Sequence, residues 1–385
     1  MDTERQPLPI IPDGWNTIKE PREGLLGEKT FSYFNYPEVS SALQKSIRRC
    51  QWPEAAQWGL EAFRTGIKCR TNILRRLFIY ASEDIGPANP SLILLLDDIL
   101  SVDNPAEYYN TEEVFLLALQ ILTKSPKSRL LDWMCHSTMR SSIETNDIYN
   151  TAEMLMFHIE DALKEKDMDR AVKYTSIFTT FAEQYSVHTI TKAHFEKWRG
   201  KFGVPKIGRH YTKMSTVFWL PVLGVAYALT ESLNTCILVC RLYNIACTRS
   251  KKFEFRYKEG NDLFKMHAIW ALCHPKEVEA TWVFDQKHSL ISELDGHEAL
   301  KAISERYMRR EGLFGIPDYA LDKHTHEGIR KGRGFEHFIL EGSKLNHMVP
   351  SVLEDERRHL LKVIEIWKQL NLLRNDFCIS KERMF

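Results

Sequence analysis

The chain has no CxxC pair. Its eight cysteines (Cys50, Cys69, Cys135, Cys236, Cys240, Cys247, Cys273 and Cys378) are dispersed, which argues against a zinc ribbon or disulfide framework and predicts buried free thiols. A membrane-length apolar run is also missing. The longest candidate, Met214 to Thr230, contains Pro221 and Gly224 and stops at Glu231, short of the roughly 20 clean residues a span needs. It predicts a core helix, and Met214 to Cys247 a helical hairpin with Cys236, Cys240 and Cys247 on one stripe. Neither charge sign is in excess, with 52 Lys+Arg against 51 Asp+Glu, so any nucleic-acid partner must use a local patch and no membrane partner is expected. Strand alternation is confined to Lys252 through Tyr257. Met1 to Pro9 has no basic segment followed by an apolar one, so an intracellular, reducing setting is expected.

What is present is helical punctuation. Residues 1–36, rich in proline, glycine and charge, predict a flexible arm. From Pro37 apolar residues recur at helical spacing. Ser40 and Ser41 are N-cap candidates for a helix from Ala42 to Cys50, Pro53 opens a second that Gly66 closes, and a third is predicted from Asn72 to Ile85. Further helical patterns cover 91–101, 111–124, 127–140, 147–165, 168–185, 190–199, 214–230, 232–248, 260–272, 276–284, 297–310 and 352–372. The expected fold is all-α, a multi-helix bundle or array without a repeat period. A helical domain is expected over 37–145 and a second helical region over 146–385.

Two clusters carry unusual letters. Ala42-Leu43-Gln44-Lys45-Ser46-Ile47-Arg48-Arg49 precedes Glu54-Ala55-Ala56-Gln57-Trp58. Then come Arg75-Arg76-Leu77-Phe78-Ile79-Tyr80-Ala81-Ser82-Glu83-Asp84-Ile85-Gly86, Ala88-Asn89-Pro90 and Ser125-Pro126-Lys127-Ser128. In this order they resemble the region that follows the ATPase core in replication-associated recombination protein A (the MgsA family of clamp-loader-related AAA+ ATPases). The likeness runs from about residue 40 to 130. It implies a lid-and-collar type of helical array, oligomerisation, and DNA or replication proteins as partners. The segment from His324 to Gly342 is similar to stand-alone phage and viral relatives of that module. For a eukaryotic virus or host the compartment would be the nucleus, and otherwise cytoplasm or nucleoid.

The motor that would accompany such a region is not legible. Gly24-Leu25-Leu26-Gly27-Glu28-Lys29-Thr30 places Glu28 between glycine and lysine, which breaks the phosphate-binding pattern. Leu94-Leu95-Leu96-Asp97-Asp98 has Walker B letters inside a helical pattern, and coincidence is the expectation. No ATPase activity and no cofactor are expected.

Glu83 and Asp84, set among Lys45, Arg48, Arg49, Arg75 and Arg76, predict either an inter-helix ion-pair lock or a docking surface. The stretch from Asp322 to Lys344 supports three readings. It is a tight structural loop, an anion or nucleic-acid contact through Arg330, Lys331 and Arg333 beside Gly328, Gly332 and Gly334, or a divalent-metal set of His324, His326, His337 and Glu341. Lys197, Trp198, Arg199, Lys201, Lys206, Arg209 and Lys213 interleave cations with Trp198, Phe202 and Tyr211 and no acid, the mixture that neutralises phosphates and stacks on bases. Arg249 through Lys258 is a second basic stretch. The leading expectation is a DNA replication or recombination accessory protein. The alternatives are a metal-dependent nucleic-acid- or nucleotide-processing enzyme and a structural assembly subunit of a virus.

Overall fold

The computed structural model describes residues 4–10, 29–100, 112–139, 152–185, 232–252, 258–285 and 294–379. These residues are all-α, and their β-pairing is limited to isolated bridges. The α-helices are α1 Tyr36–Arg48, α2 Trp52–Thr65, α3 Ile67–Tyr80, α4 Leu92–Leu100, α5 Glu112–Lys124, α6 Leu130–Met139, α7 Ala152–Lys164, α8 Met168–Tyr185, α9 Leu233–Lys252, α10 Lys258–Cys273, α11 Pro275–Ala280, α12 His297–Met308, α13 His326–Arg330, α14 Phe335–His337 and α15 Leu353–Gln369. No helix among the described residues is long and apolar enough to cross a membrane. The described cysteines are free thiols, but of these Cys69 and Cys273 alone are buried, Cys378 is exposed, and Cys50, Cys135, Cys236 and Cys240 are half-buried. The predicted helices over 190–199 and 214–230 and the alternating residues 253–257 lie outside the described residues.

Several helix boundaries differ from the sequence reading, and those of α1 and α3 bear on the site. Helix α1 starts at Tyr36 rather than Ala42, with Pro37 in its first turn, where its missing N–H costs nothing. The serines expected as caps are used elsewhere: Ser41 donates to the Ala320 carbonyl at 2.7 Å, and Ser40 accepts from Arg76. Helix α3 starts at Ile67 and gives way after Tyr80 to a π-helical turn, Ala81–Ile85. Such a turn inserts a residue into the helical ladder and re-aims the side chains around it. Leu94 to Asp98, the Walker B letters, lie within α4.

The chain forms two compact units. The first comprises residues 1–88, 95–129 and 283–385. In it α2 packs on α1, α3 and α5, and α5 also packs on α12. The buried stripe of α1 is Tyr36, Val39, Leu43 and Ile47, at helical spacing. Trp58 of α2 is fully buried with Phe34 edge-on to it at 5.3 Å, and Phe63 stacks on Phe115 of α5 at 4.7 Å. Near the N-terminus Gln6 donates to the Ile316 carbonyl and Asp318 to that of Glu4, both at 2.8 Å, while Arg5 pairs with Glu54 at 2.8 Å.

The second unit comprises residues 89–94 and 130–282. Helix α10 is its hub, in contact with α6, α7, α8, α9 and α11. Trp133, Ile159, Val172, Leu238, Ile269 and Trp270 are buried. His267 is wholly enclosed, and burial pushes its imidazole down to about 3, so it stays neutral.

Helices α2 and α5 meet closely at Gly59. A Cβ placed on Gly59 of α2 would lie 2.2 Å from Leu119 Cδ1 of α5, so the leucine fills the notch the glycine leaves. Leu119→Ala should cost about 2–5 kcal/mol, read as a lowered urea midpoint by far-ultraviolet circular dichroism. An unchanged midpoint would mean that this contact is not a stabilising one.

Candidate functional site

The π-helical turn after α3 carries two carboxylates into the interior of the first unit. Asp84 is fully buried, and Arg48 of α1 reaches it with Nε at 2.6 Å. The same guanidinium donates through Nη2 to Glu83 at 2.6 Å and through Nη1 to the Gly342 carbonyl at 2.8 Å. Gln44 Nε2 donates to the other Asp84 oxygen at 3.0 Å. A second buried guanidinium, Arg129, lies 3.2 Å from Glu83 and 3.6 Å from Asp84. Two cations and two carboxylates thus neutralise one another in a space where a lone charge would be costly.

The neighbouring cations serve other partners. Lys45 is buried and pairs with Asp322 at 2.6 Å, also donating to Ser41 Oγ and to the Ala320 carbonyl. Burial would raise the Asp322 carboxyl, yet the His324 hydrogen bond and the Lys45 ammonium hold it well below the usual carboxylate range. The turn that presents Asp322 needs a glycine at 328, because a Cβ there would fall 2.0 Å from the Asp322 carbonyl oxygen. Arg49 lies over the Tyr319 ring, 4.0 Å from its centroid, and donates to the Glu341 carbonyl at 2.6 Å. Arg76 donates to Ser40, and Arg75 sits half-buried on α3.

The Ser125-Pro126-Lys127-Ser128 turn is also interior. Lys127 is fully buried, and its ammonium donates to the carbonyls of Leu122, Thr123 and Ser125, capping the end of α5. Burial lowers this lysine to about 8. Ser128 donates its backbone N–H to the Asp84 carbonyl and its hydroxyl to Glu356 of α15 at 2.8 Å.

In the C-terminal constellation the cations are matched to acids. Arg330 is highly exposed and forms a two-pronged pair with Glu327, both bonds at 2.7 Å. Lys331 and Arg333 share Asp318, and Arg333 also donates to the carbonyls of Asp318 at 2.6 Å and Leu321 at 2.9 Å. His324 Nδ1 is 3.2 Å from Asp322, and Glu341 lies 3.7 Å from Arg49. His326 is exposed. Among the described residues no three His, Cys, Asp or Glu side chains are grouped to hold a metal ion. Residues 197–213 lie outside the described residues, as do residues 253–257 of the second basic stretch.

Two participants were not singled out from sequence. Arg129 had no motif to mark it. Asp322, the acid on Lys45, is separated from it by 277 residues. No protein-family model, no curated protein and no solved structure matches the chain.

Asp84→Asn should leave Arg48 and Arg129 short of charge and destabilise the first unit by about 3–5 kcal/mol, measured by urea denaturation at neutral pH. A loss below about 1 kcal/mol would identify the pairing as no more than a surface-type contact. The Asp322 shift gives a second test. Its folded pKa is depressed, so the stabilisation is complete above the unfolded value of about 3.9 and is lost as pH falls from there through the folded value. The melting temperature of the native chain should drop below about pH 4, and Asp322→Asn should flatten that acid limb. Parallel acid limbs would remove Asp322 as the responsible group.

Proposed function

We propose that the protein is a DNA replication or recombination accessory protein without an ATPase of its own. In this reading it is a helical scaffold similar to the region beyond the ATPase core in the MgsA family, and it engages DNA or a replication protein through Lys197 to Lys213. The observation that carries the reading is where the resembling residues sit. Lys45, Ser46, Arg48, Trp58, Asp84, Asn89, Lys127 and Ser128 are all buried. Residues so placed hold helices together rather than meet a substrate, as a collar-like scaffold requires. The acid partners of Arg330, Lys331 and Arg333 turn that loop toward a structural role, which leaves the acid-free stretch 197–213 as the contact surface.

The test is fluorescence anisotropy of the whole protein with a labelled single-stranded oligonucleotide across a salt series. Binding should weaken with salt. Lys201→Ala combined with Arg209→Ala should weaken it further and reduce the slope of log K against log salt by about 1.4, two phosphate contacts on a single strand. Absent or salt-insensitive binding would remove the DNA claim.

A further inference from the structure

In the first unit, residues 332–337 and 371–375 enclose an open cleft of about 620 Å³, within the size range of small-ligand sites. Its polar lining is Arg333, Glu336, His337, Asn371, Arg374 and Asn375, and Phe335 and Leu372 add apolar surface. The two arginines differ in kind. Arg333 is pinned by Asp318 and two backbone carbonyls and is a fixed positive wall. Arg374 is 70% exposed, bonded to Glu336 at 2.8 and 3.2 Å, and its Nη1 has no partner among the described residues.

Ion pairs so exposed are screened by solvent. A phosphate takes the same two-pronged geometry that Glu336 now occupies, with more charge than one carboxylate. The two asparagines supply amide donors and acceptors of the kind that read a base edge. Phe335 is half-buried, with Trp367 edge-on at 4.6 Å and the Lys323 ammonium over one face of its ring, 3.7 Å from the centroid, so a stacking base would have to take the other face. His337 Nδ1 is buried without a hydrogen-bond partner, and burial together with Arg333 lowers the imidazole pKa, favouring the neutral ring. The lining holds one carboxylate, Glu336, against the guanidiniums of Arg333 and Arg374, and Asp376 lies 3.9 Å from Arg374 just outside it. Donors therefore outnumber acceptors, beside an aromatic face.

We propose that this cleft binds a nucleoside 5′-phosphate, free or as the terminal nucleotide of a strand, with Arg374 leaving Glu336 to clamp the phosphate and Phe335 receiving the base. The site is independent of residues 197–213 and stands or falls separately from the DNA reading above.

Isothermal titration of the whole protein with AMP, dAMP, adenosine and inorganic phosphate tests it. The monophosphates should bind at least about tenfold more tightly than adenosine or phosphate alone, and Arg374→Ala should weaken them by about tenfold or more. Glu336→Gln should strengthen them, because it frees Arg374, an effect that a purely structural ion pair would not produce. Both side chains are at the surface, and unchanged circular-dichroism melts would exclude misfolding. Displacement of AMP by a 5′-phosphorylated oligonucleotide, and not by its 5′-hydroxyl counterpart, would assign the strand end, whereas no displacement would assign the free nucleotide. No binding of either monophosphate up to about 1 mM, or equal binding by both variants and the native chain, would overturn the proposal.

Discussion

The first unit depends on one guanidinium. Arg48 bonds Asp84 through Nε, Glu83 through Nη2 and the Gly342 carbonyl through Nη1, so a single side chain joins α1, the π-helical turn after α3 and the C-terminal turn at 338–342. A charge enclosed in this way is tolerated only while every partner stays in place. The surrounding geometry follows from that demand. The π-helical turn carries the carboxylates inward, Gln44 occupies the remaining Asp84 oxygen, and Ser128 ties its own loop to the Asp84 carbonyl. Hydrophobic packing of Trp58, Phe63 and Phe115 supplies cohesion without direction. The ion cluster adds directional contacts that tie three chain segments together.

Much of the helical pattern was legible, since apolar spacing such as Tyr36, Val39, Leu43 and Ile47 leaves little choice of period. The ends were less so. Ser40 and Ser41 have the letters of N-caps, but their hydroxyls serve Arg76 and the Ala320 carbonyl, partners fixed only by tertiary structure. The π-helical turn at 81–85 has no letter signature at all. Within it Asp84 meets the Arg48 guanidinium, a contact between distant segments.

The candidate site shows the same division. Residue types near Glu83 and Asp84 announced that charges would meet, and Arg48 stood among the named cations. Which cation meets which acid depends on contacts between distant segments. Lys45 turned to Asp322, and Arg129, which directly follows the Ser125–Ser128 turn, was not among the cations placed with the two acids. In the Gly-Arg-Gly loop, glycines and cations suggested an anion cradle. Asp318, a little upstream, already occupies Lys331 and Arg333. Local composition cannot reveal that, because an acid before a loop pairs with it only if the chain doubles back.

The discontinuity of the first unit bears on how the protein emerges during synthesis. Residues 130–282 belong to the other unit, so the nascent chain must complete that stretch before the returning segment from 283 onward exists. Glu83, Asp84 and Arg129 reach Arg48 early, but Lys45 waits 277 residues for Asp322. At translation rates of about 5–20 residues per second, that is an interval of tens of seconds. Throughout it the Lys45 ammonium lacks the carboxylate that neutralises it in the folded chain.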